Sequence, residues 1–167
     1  AATGEFLLEL PPLPPGGPHV LECADLTTGE TVRVKDVLIG EVWVASGQSN
    51  MEFKLNNTPQ QFADFMQKIA GNDRIRMLTL PRRATGARER SFNAAWTKGT
   101  DPAEVENWSA VAAEFAHKIH TALNVPVGIL HSSWGGTIVE AWTSRNSVMA
   151  EPKERAMQTQ YDLTFAS

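Results

Sequence analysis

The chain has 167 residues, 42% of them hydrophobic and 20% charged, which is the composition of a globular protein of about one domain. Its net charge of −4 excludes the broad basic surface of a protein that binds nucleic acids or anionic membranes. No apolar run approaches the ~20 residues of a membrane span, and the one cysteine, Cys23, cannot form an internal disulfide.

The first 38 residues are predicted to be rich in β-strands. We expect short strands over residues 6–10, 19–23 and 31–34, the last with alternating apolar side chains. Residues 11–18 are mostly proline and glycine and connect the first two strands, because proline fits neither a helix interior nor a central strand. The alternative for this connector is a polyproline segment that binds a partner. Three short strands are too few to form a stable domain alone.

The next segment joins an apolar strand to a polar turn. Residues 42–45 are apolar or small, as in strands of a parallel sheet that is covered on both faces. Gly47 permits a turn after this strand, and functional sites of open α/β sheets lie at the carboxyl ends of strands. Ser49 is therefore a candidate nucleophile at the mouth of a crevice. The alternative is an ordinary turn rich in glycine, serine and asparagine.

A well-marked helix and a second strand follow. Thr58 and Pro59 are the expected cap and first residue of a helix that ends before Gly71. Residues 74–80 are predicted to form the next parallel strand. Four arginines lie in the loop over residues 82–90, where a solvated loop is favoured over a site for an anionic sugar.

The second predicted helix and third strand complete the alternating pattern. Ser109 is the expected cap of a helix that runs to about residue 123. Its predicted buried face contains Val111, Phe115 and Ile119, with Ala112, Ala116 and Leu123 as further candidates. Residues 126–130 then form an apolar strand. Strands that alternate with helices in this way indicate a parallel sheet with helices packed on its faces.

A second polar stretch follows that strand, at residues 131–137. It contains Trp134 and the adjacent glycines Gly135 and Gly136, followed by Thr137. Adjacent glycines allow the backbone to turn its N–H groups toward a ligand. Such donors are what an oxyanion hole requires in ester hydrolysis.

In this order, the motifs resemble the sialate O-acetylesterase-like branch of the SGNH hydrolases. The similarity extends over roughly residues 5–145. Its motifs are GQSNM at 47–51, WSAV at 108–111, PVGI at 126–129, WGGT at 134–137 and EAW at 140–142. The resemblance implies a three-layer α/β/α, flavodoxin-like parallel sheet that is incomplete in this chain. Residues 1–38 would then be the end of an N-terminal β-sandwich module, and residues 39–167 the N-terminal part of the esterase domain.

The resemblance also implies a function, a carbohydrate O-acetylesterase acting on sialic acids or on acetylated polysaccharides such as xylan. Ser49 would be the nucleophile and, through its N–H, an oxyanion donor together with Gly136, with Gly135 as the alternative. The expected substrate-binding residues are Gln48, Asn50, Trp134 and Glu140. No cofactor, metal, nucleic acid or membrane is expected, and the location is predicted to be secreted, periplasmic or lysosomal. The alternative function is a non-catalytic carbohydrate-binding or structural domain with a similar crevice.

The general base of such an esterase is missing from the sequence. SGNH hydrolases carry it in an Asp-x-x-His segment, and no aspartate here has a histidine three residues later. His131 is predicted to be a hydrogen-bonded residue on the crevice floor in preference to a base. Glu114 and His117 have metal-ligand spacing, but a surface helix face is favoured. We therefore expect a second polypeptide segment to supply the Asp-x-x-His pair.

Overall fold

The computed structural model describes residues 7–69, 71–84, 89, 91–152 and 155–156. The strands are β1 (Gly16–Ala24), β2 (Thr31–Ile39), β3 (Glu41–Gly47), β4 (Ile75–Thr79), β5 (Thr97–Lys98) and β6 (Val127–Ser133). The helices are α1 (Ser49–Glu52), α2 (Pro59–Ile69), α3 (Pro102–Val105), α4 (Ala110–Leu123) and α5 (Arg145–Ala150). Short 3₁₀ turns occur at Leu55–Asn57 and Val139–Trp142.

Strands β1 and β2 pair antiparallel as a two-stranded ribbon. Both were predicted, and both are longer than predicted, with β1 beginning inside the expected proline-rich connector. The strand expected over residues 6–10 is wrong for the described residues 7–10, which form no strand. Leu7 and Leu8 are 86% and 70% exposed, because no described strand pairs with this segment. An apolar run alone therefore does not make a strand.

The remaining strands form one sheet in the order β3-β6-β4-β5. Strands β3, β6 and β4 are parallel, as predicted, and the two-residue β5 adds an antiparallel edge. In the β3–β6 pair, Gly47 lies opposite Ser133. Because these two strands end at the same edge, the polar stretches that follow them lie side by side.

Helices α2 and α4 cover one face of this sheet. Four strand side chains on that face are at most 1% exposed: Ile75, Met77, Val127 and Ile129. They form one cluster with Phe65 and Ile69 of α2 and with alanines of α4. This arrangement of a parallel sheet and packed helices confirms the predicted α/β fold.

The buried face of α4 differs from the predicted one. Val111 and Phe115 were expected inside but are 51% and 39% exposed, and Ile119 is only partly buried. The fully buried residues of α4 are small: Ala112 and Ala116, which were predicted, and Ala113, which was not. Leu123, also a candidate for the buried face, is 55% exposed. Small side chains let the helix approach the sheet closely, so the alanines are covered and most of the large residues of the predicted face are not. The predicted cap is confirmed, since the Ser109 Oγ accepts the Ala112 N–H at 3.2 Å.

Asp36 joins the ribbon to the sheet. It has a φ of +63°, in the left-handed region that residues with a Cβ seldom adopt. Its carboxylate pairs with Arg76 and Lys98, each at 2.7 Å, and Arg76 also donates to the Asp36 carbonyl at 2.8 Å. Hydrogen bonds from Arg76 and then Lys98 lower the pKa of Asp36 to about 2.

Candidate active site

Ser49 is the first residue of α1 and lies just beyond the carboxyl end of β3. The chain turns there as predicted, with Gly47 at a φ of +140°. Ser49 is exposed, and its hydroxyl takes part in none of the hydrogen bonds formed among the described residues. The hydroxyl is therefore accessible to a substrate, and no described side chain is bonded to it as a base.

The segment after β6, residues 134–137, is named here the glycine loop. The Trp134 N–H donates to the Gly47 carbonyl at 3.0 Å, and the Gln48 amide donates to the Thr137 carbonyl at 2.5 Å. A Cβ placed on Gly135 would stand 3.6 Å from the Ser49 Cα. The structure thus brings together the two polar stretches that the sequence singled out.

The two glycines of this loop differ in how their N–H groups are used. The Gly135 N–H donates to the Glu52 Oε2. Gly136 has a φ of +80°, and its N–H is used in none of the hydrogen bonds within the described part of the chain. Sequence reasoning left these glycines as alternatives for the oxyanion donor, and they differ in that the Gly135 N–H already has an acceptor.

Glu52 is a candidate site residue that sequence reasoning missed, and Arg82 is one that it placed in a loop favoured to be solvated. The Glu52 Oε1 forms an ion pair with Arg82, whose guanidinium carbon lies 6.0 Å from the centre of the Trp134 ring. Glu52 follows Ser49 by three residues, a spacing that places both on one side of a helical turn and was the available signal. Arg82 belongs to the arginine loop that was predicted to be solvated. In that loop Arg83 pairs with Glu89 at 2.5 Å, whereas residues 88 and 90 lie outside the described ranges.

A cavity of about 720 Å³ lies beside the glycine loop. Arg82 and Arg83 line one side, and Trp134, Glu140 and Trp142 are among its other lining residues. Two of the predicted substrate-binding residues, Trp134 and Glu140, are therefore on its wall.

The other two predicted substrate-binding residues have different surroundings. The Gln48 side chain holds the glycine loop through the Thr137 carbonyl. Asn50 is exposed on α1. A substrate role for these residues stays a prediction.

His131 lies on β6 beneath this site and is 5% exposed. Its Nε2 is 2.7 Å from the Ser133 Oγ, and its Nδ1 is 3.4 Å from the Thr79 Oγ1. Burial lowers the pKa of His131, because the charged imidazolium is poorly solvated there, and a backbone hydrogen bond with Met51 opposes this shift. These surroundings match the predicted hydrogen-bonded residue on the crevice floor.

The acidic and histidine side chains of α4 have protein partners. Glu114 pairs with Lys68 of α2 at 2.6 Å, and the His117 Nε2 is 3.5 Å from the Thr121 hydroxyl. Within the described ranges, no group of three or more His, Cys, Asp or Glu side chains is arranged to hold a metal ion. None of the helices described is both long and apolar enough to cross a membrane.

The exposed Ser49 lies beside the glycine loop at the carboxyl ends of adjacent parallel strands, so the chain is an α/β protein with a candidate serine site. Curated sialate O-acetylesterases of Rattus norvegicus and Homo sapiens are each 32% identical to it, over 89% and 90% of its length. A crystal structure of a carbohydrate acetylesterase from Xanthomonas citri matches 92% of the chain, with a TM-score of 0.80 and 32% identity. No protein-family model matches the chain.

These similarities confirm the resemblance drawn from the motifs. Over nine-tenths of its length, the chain is related to the sialate O-acetylesterase-like carbohydrate esterases. It spans 29% and 30% of the length of the two curated relatives and 34% of the crystallised one.

Proposed function

We propose that this chain is part of a carbohydrate O-acetylesterase, a serine esterase that removes acetyl groups from sialic acids or from acetylated polysaccharides such as xylan. The observation that carries the proposal is the position of Ser49 against the glycine loop at the ends of β3 and β6. The names of the relatives, sialate O-acetylesterase and carbohydrate acetylesterase, support it.

In this proposal Ser49 is the nucleophile. Its oxygen attacks the acetyl carbonyl, the bond to the sugar oxygen breaks, and a base returns the Ser49 proton to the departing sugar. Water then hydrolyses the acetyl-serine to acetate and free enzyme. The cavity beside the glycine loop would receive the sugar, with Trp134 and Glu140 as contacts.

The oxyanion donors are the N–H groups of Ser49 and Gly136. Gly136 is preferred to Gly135 because the Gly135 N–H already donates to a carboxylate. One pre-aimed donor of this kind contributes about 3–4 kcal/mol of transition-state stabilisation.

The general base and its carboxylate would come from a second polypeptide segment with an Asp-x-x-His pair. Two observations support this part of the proposal: the chain has no such pair, and the His131 Nε2 already interacts with Ser133. On the same resemblance, residues 1–38 would end a β-sandwich module and residues 39–167 begin the esterase domain. We also propose a secreted, periplasmic or lysosomal location.

Replacing the nucleophile tests the proposal. In the full-length protein, Ser49→Ala should lower p-nitrophenyl acetate turnover by ~10³-fold or more. Ser46→Ala, which removes an exposed hydroxyl three residues earlier on β3, is the matched control and should retain the wild-type rate. Wild-type turnover by the Ser49 variant would refute Ser49 as the nucleophile, whereas no turnover by the wild-type protein itself would favour a non-catalytic carbohydrate-binding or structural domain.

A further inference from the structure

We infer that Glu52 and Arg82 form a positioning pair for the glycine loop. Glu52 holds the loop against Ser49, and Arg82 neutralises the charge that Glu52 brings to the site. The inference rests on the proposed esterase function and assigns to that site two residues that do not themselves react.

Glu52 contacts the glycine loop at a point close to the Ser49 backbone. A Cβ on Gly135 would stand 2.6 Å from the Glu52 Oε2 and 3.6 Å from the Ser49 Cα. The carboxylate, the loop backbone and the serine backbone therefore meet around one point. The bond from the Gly135 N–H to Glu52 fixes the Trp134–Gly135 peptide, one residue before the peptide that carries the Gly136 N–H, the proposed oxyanion donor.

Arg82 balances the negative charge that Glu52 brings to the site. Ester hydrolysis places a negative charge on the carbonyl oxygen, and a lone carboxylate nearby would oppose it. Arg82 pairs with Oε1, the oxygen that does not hold Gly135, so Glu52 can keep its loop contact while its charge is balanced. The Glu52 side chain is 25% exposed and that of Arg82 is 49% exposed, so solvent screens part of this interaction.

The two parts of the inference can be measured separately on p-nitrophenyl acetate, which carries no sugar to contact the cavity wall. Glu52→Ala removes the loop contact and should lower kcat roughly 10- to 100-fold with KM changed less than about twofold, because oxyanion donors act in the transition state. Glu52→Gln keeps an amide oxygen as acceptor for Gly135, and its kcat should stay within about threefold of the wild type.

The charge is tested by a double-mutant cycle. Arg82→Ala leaves the Glu52 carboxylate unpaired and should lower kcat about 10-fold. Adding Glu52→Gln to Arg82→Ala removes that charge, and kcat should return to near the Glu52→Gln value. A purely structural ion pair would not show this recovery, because the double variant lacks the ion pair as well.

The experiment uses the full-length protein, with Glu114→Ala as control because it breaks an ion pair between α2 and α4 away from the site. Wild-type kcat in Glu52→Ala and Arg82→Ala, with an inactive Ser49→Ala, would overturn the inference and leave the proposed function standing. A double variant no faster than Arg82→Ala would overturn the charge role. If Glu52→Ala fails to fold, the double-mutant cycle of Arg82→Ala and Glu52→Gln tests the inference in its place. An active Ser49→Ala would instead remove Ser49 as the nucleophile, and an inactive wild-type protein would remove the proposed function itself.

Discussion

The two faces of the central sheet differ in burial, although the same strands form both. On the helix-covered face Ile75, Val127 and Ile129 are at most 1% exposed, whereas Val42 and Val44 on the opposite face of the edge strand β3 are 61% and 69% exposed. The contrast is not complete, because Trp43 on the covered face is 43% exposed and Leu78 on the opposite face is 8% exposed. The apolar residues 42–45 predicted a strand that is buried on both sides. Apolar content therefore identifies the strand, whereas the helices that pack on it decide which face is protected from solvent.

The covered face also continues into the candidate site. Along β6, Val127, Ile129 and His131 are buried in alternation, and Ser133 follows them at the strand end. Packing under α2 and α4 therefore fixes the position of His131, which forms the floor of the crevice beside the glycine loop. The opposite face ends in Ser46 and Ser132, which are not part of that core.

The comparison predicts its largest stability effect at Phe65, which is 0% exposed beneath the covered face. Phe65→Ala should lower the free energy of unfolding by about 3–5 kcal/mol, because it removes buried apolar surface and leaves a cavity. Urea unfolding measures this loss. A loss below about 1 kcal/mol would contradict the description of this face as the core.

His131 lies where the helix-covered face reaches the candidate site, and the pH dependence of stability tests its burial. His131 has a pKa below its ordinary value of 6.5, so the unfolded chain binds its proton more readily than the folded one. Its contribution should therefore lower stability as the pH falls below about 6.5. His131→Gln should flatten this dependence between pH 7.5 and 5 in thermal unfolding scans. An unchanged slope in the variant would show that His131 is not buried in its neutral form.

The smallest effect on the free energy of unfolding is expected on the face of the sheet opposite the helices. Val44→Thr replaces an exposed methyl by a hydroxyl and should change the free energy of unfolding by less than about 0.5 kcal/mol. The same urea titration measures it beside Phe65→Ala. A loss of about 2 kcal/mol would contradict the comparison, because it would show that this face is covered in the intact protein.

Local signals explain which parts of the fold could be predicted. The Ser109 cap and the polar turn after β3 depend on residues within a few positions, and the structure has both where expected. On α4 the buried Ala112 and Ala116 were predicted, but the exposure of Val111, Phe115 and Leu123 depends on how the helix meets the sheet. The missing strand at residues 7–10 depends on a pairing partner, which the run itself does not specify.

The candidate site, like the fold, has parts that local sequence signals predict and parts that they do not. Ser49 and the paired glycines were found because their residue types and positions after strands are visible in the sequence. The contact of Glu52 with Gly135 joins residues 83 positions apart, and no local pattern encodes it. Arg82 was recognised as part of a charged loop, but its direction toward Glu52 and Trp134 exists only in the folded chain.

The central claim is that Ser49 is the nucleophile of an esterase, and covalent labelling tests it most directly. The full-length protein is treated with a fluorophosphonate, which reacts with activated serines, and the labelled peptide is identified by mass spectrometry. The account predicts one label, on Ser49, and its absence in Ser49→Ala. A label on Ser46, Ser132 or Ser133, with Ser49 unmodified, would contradict it.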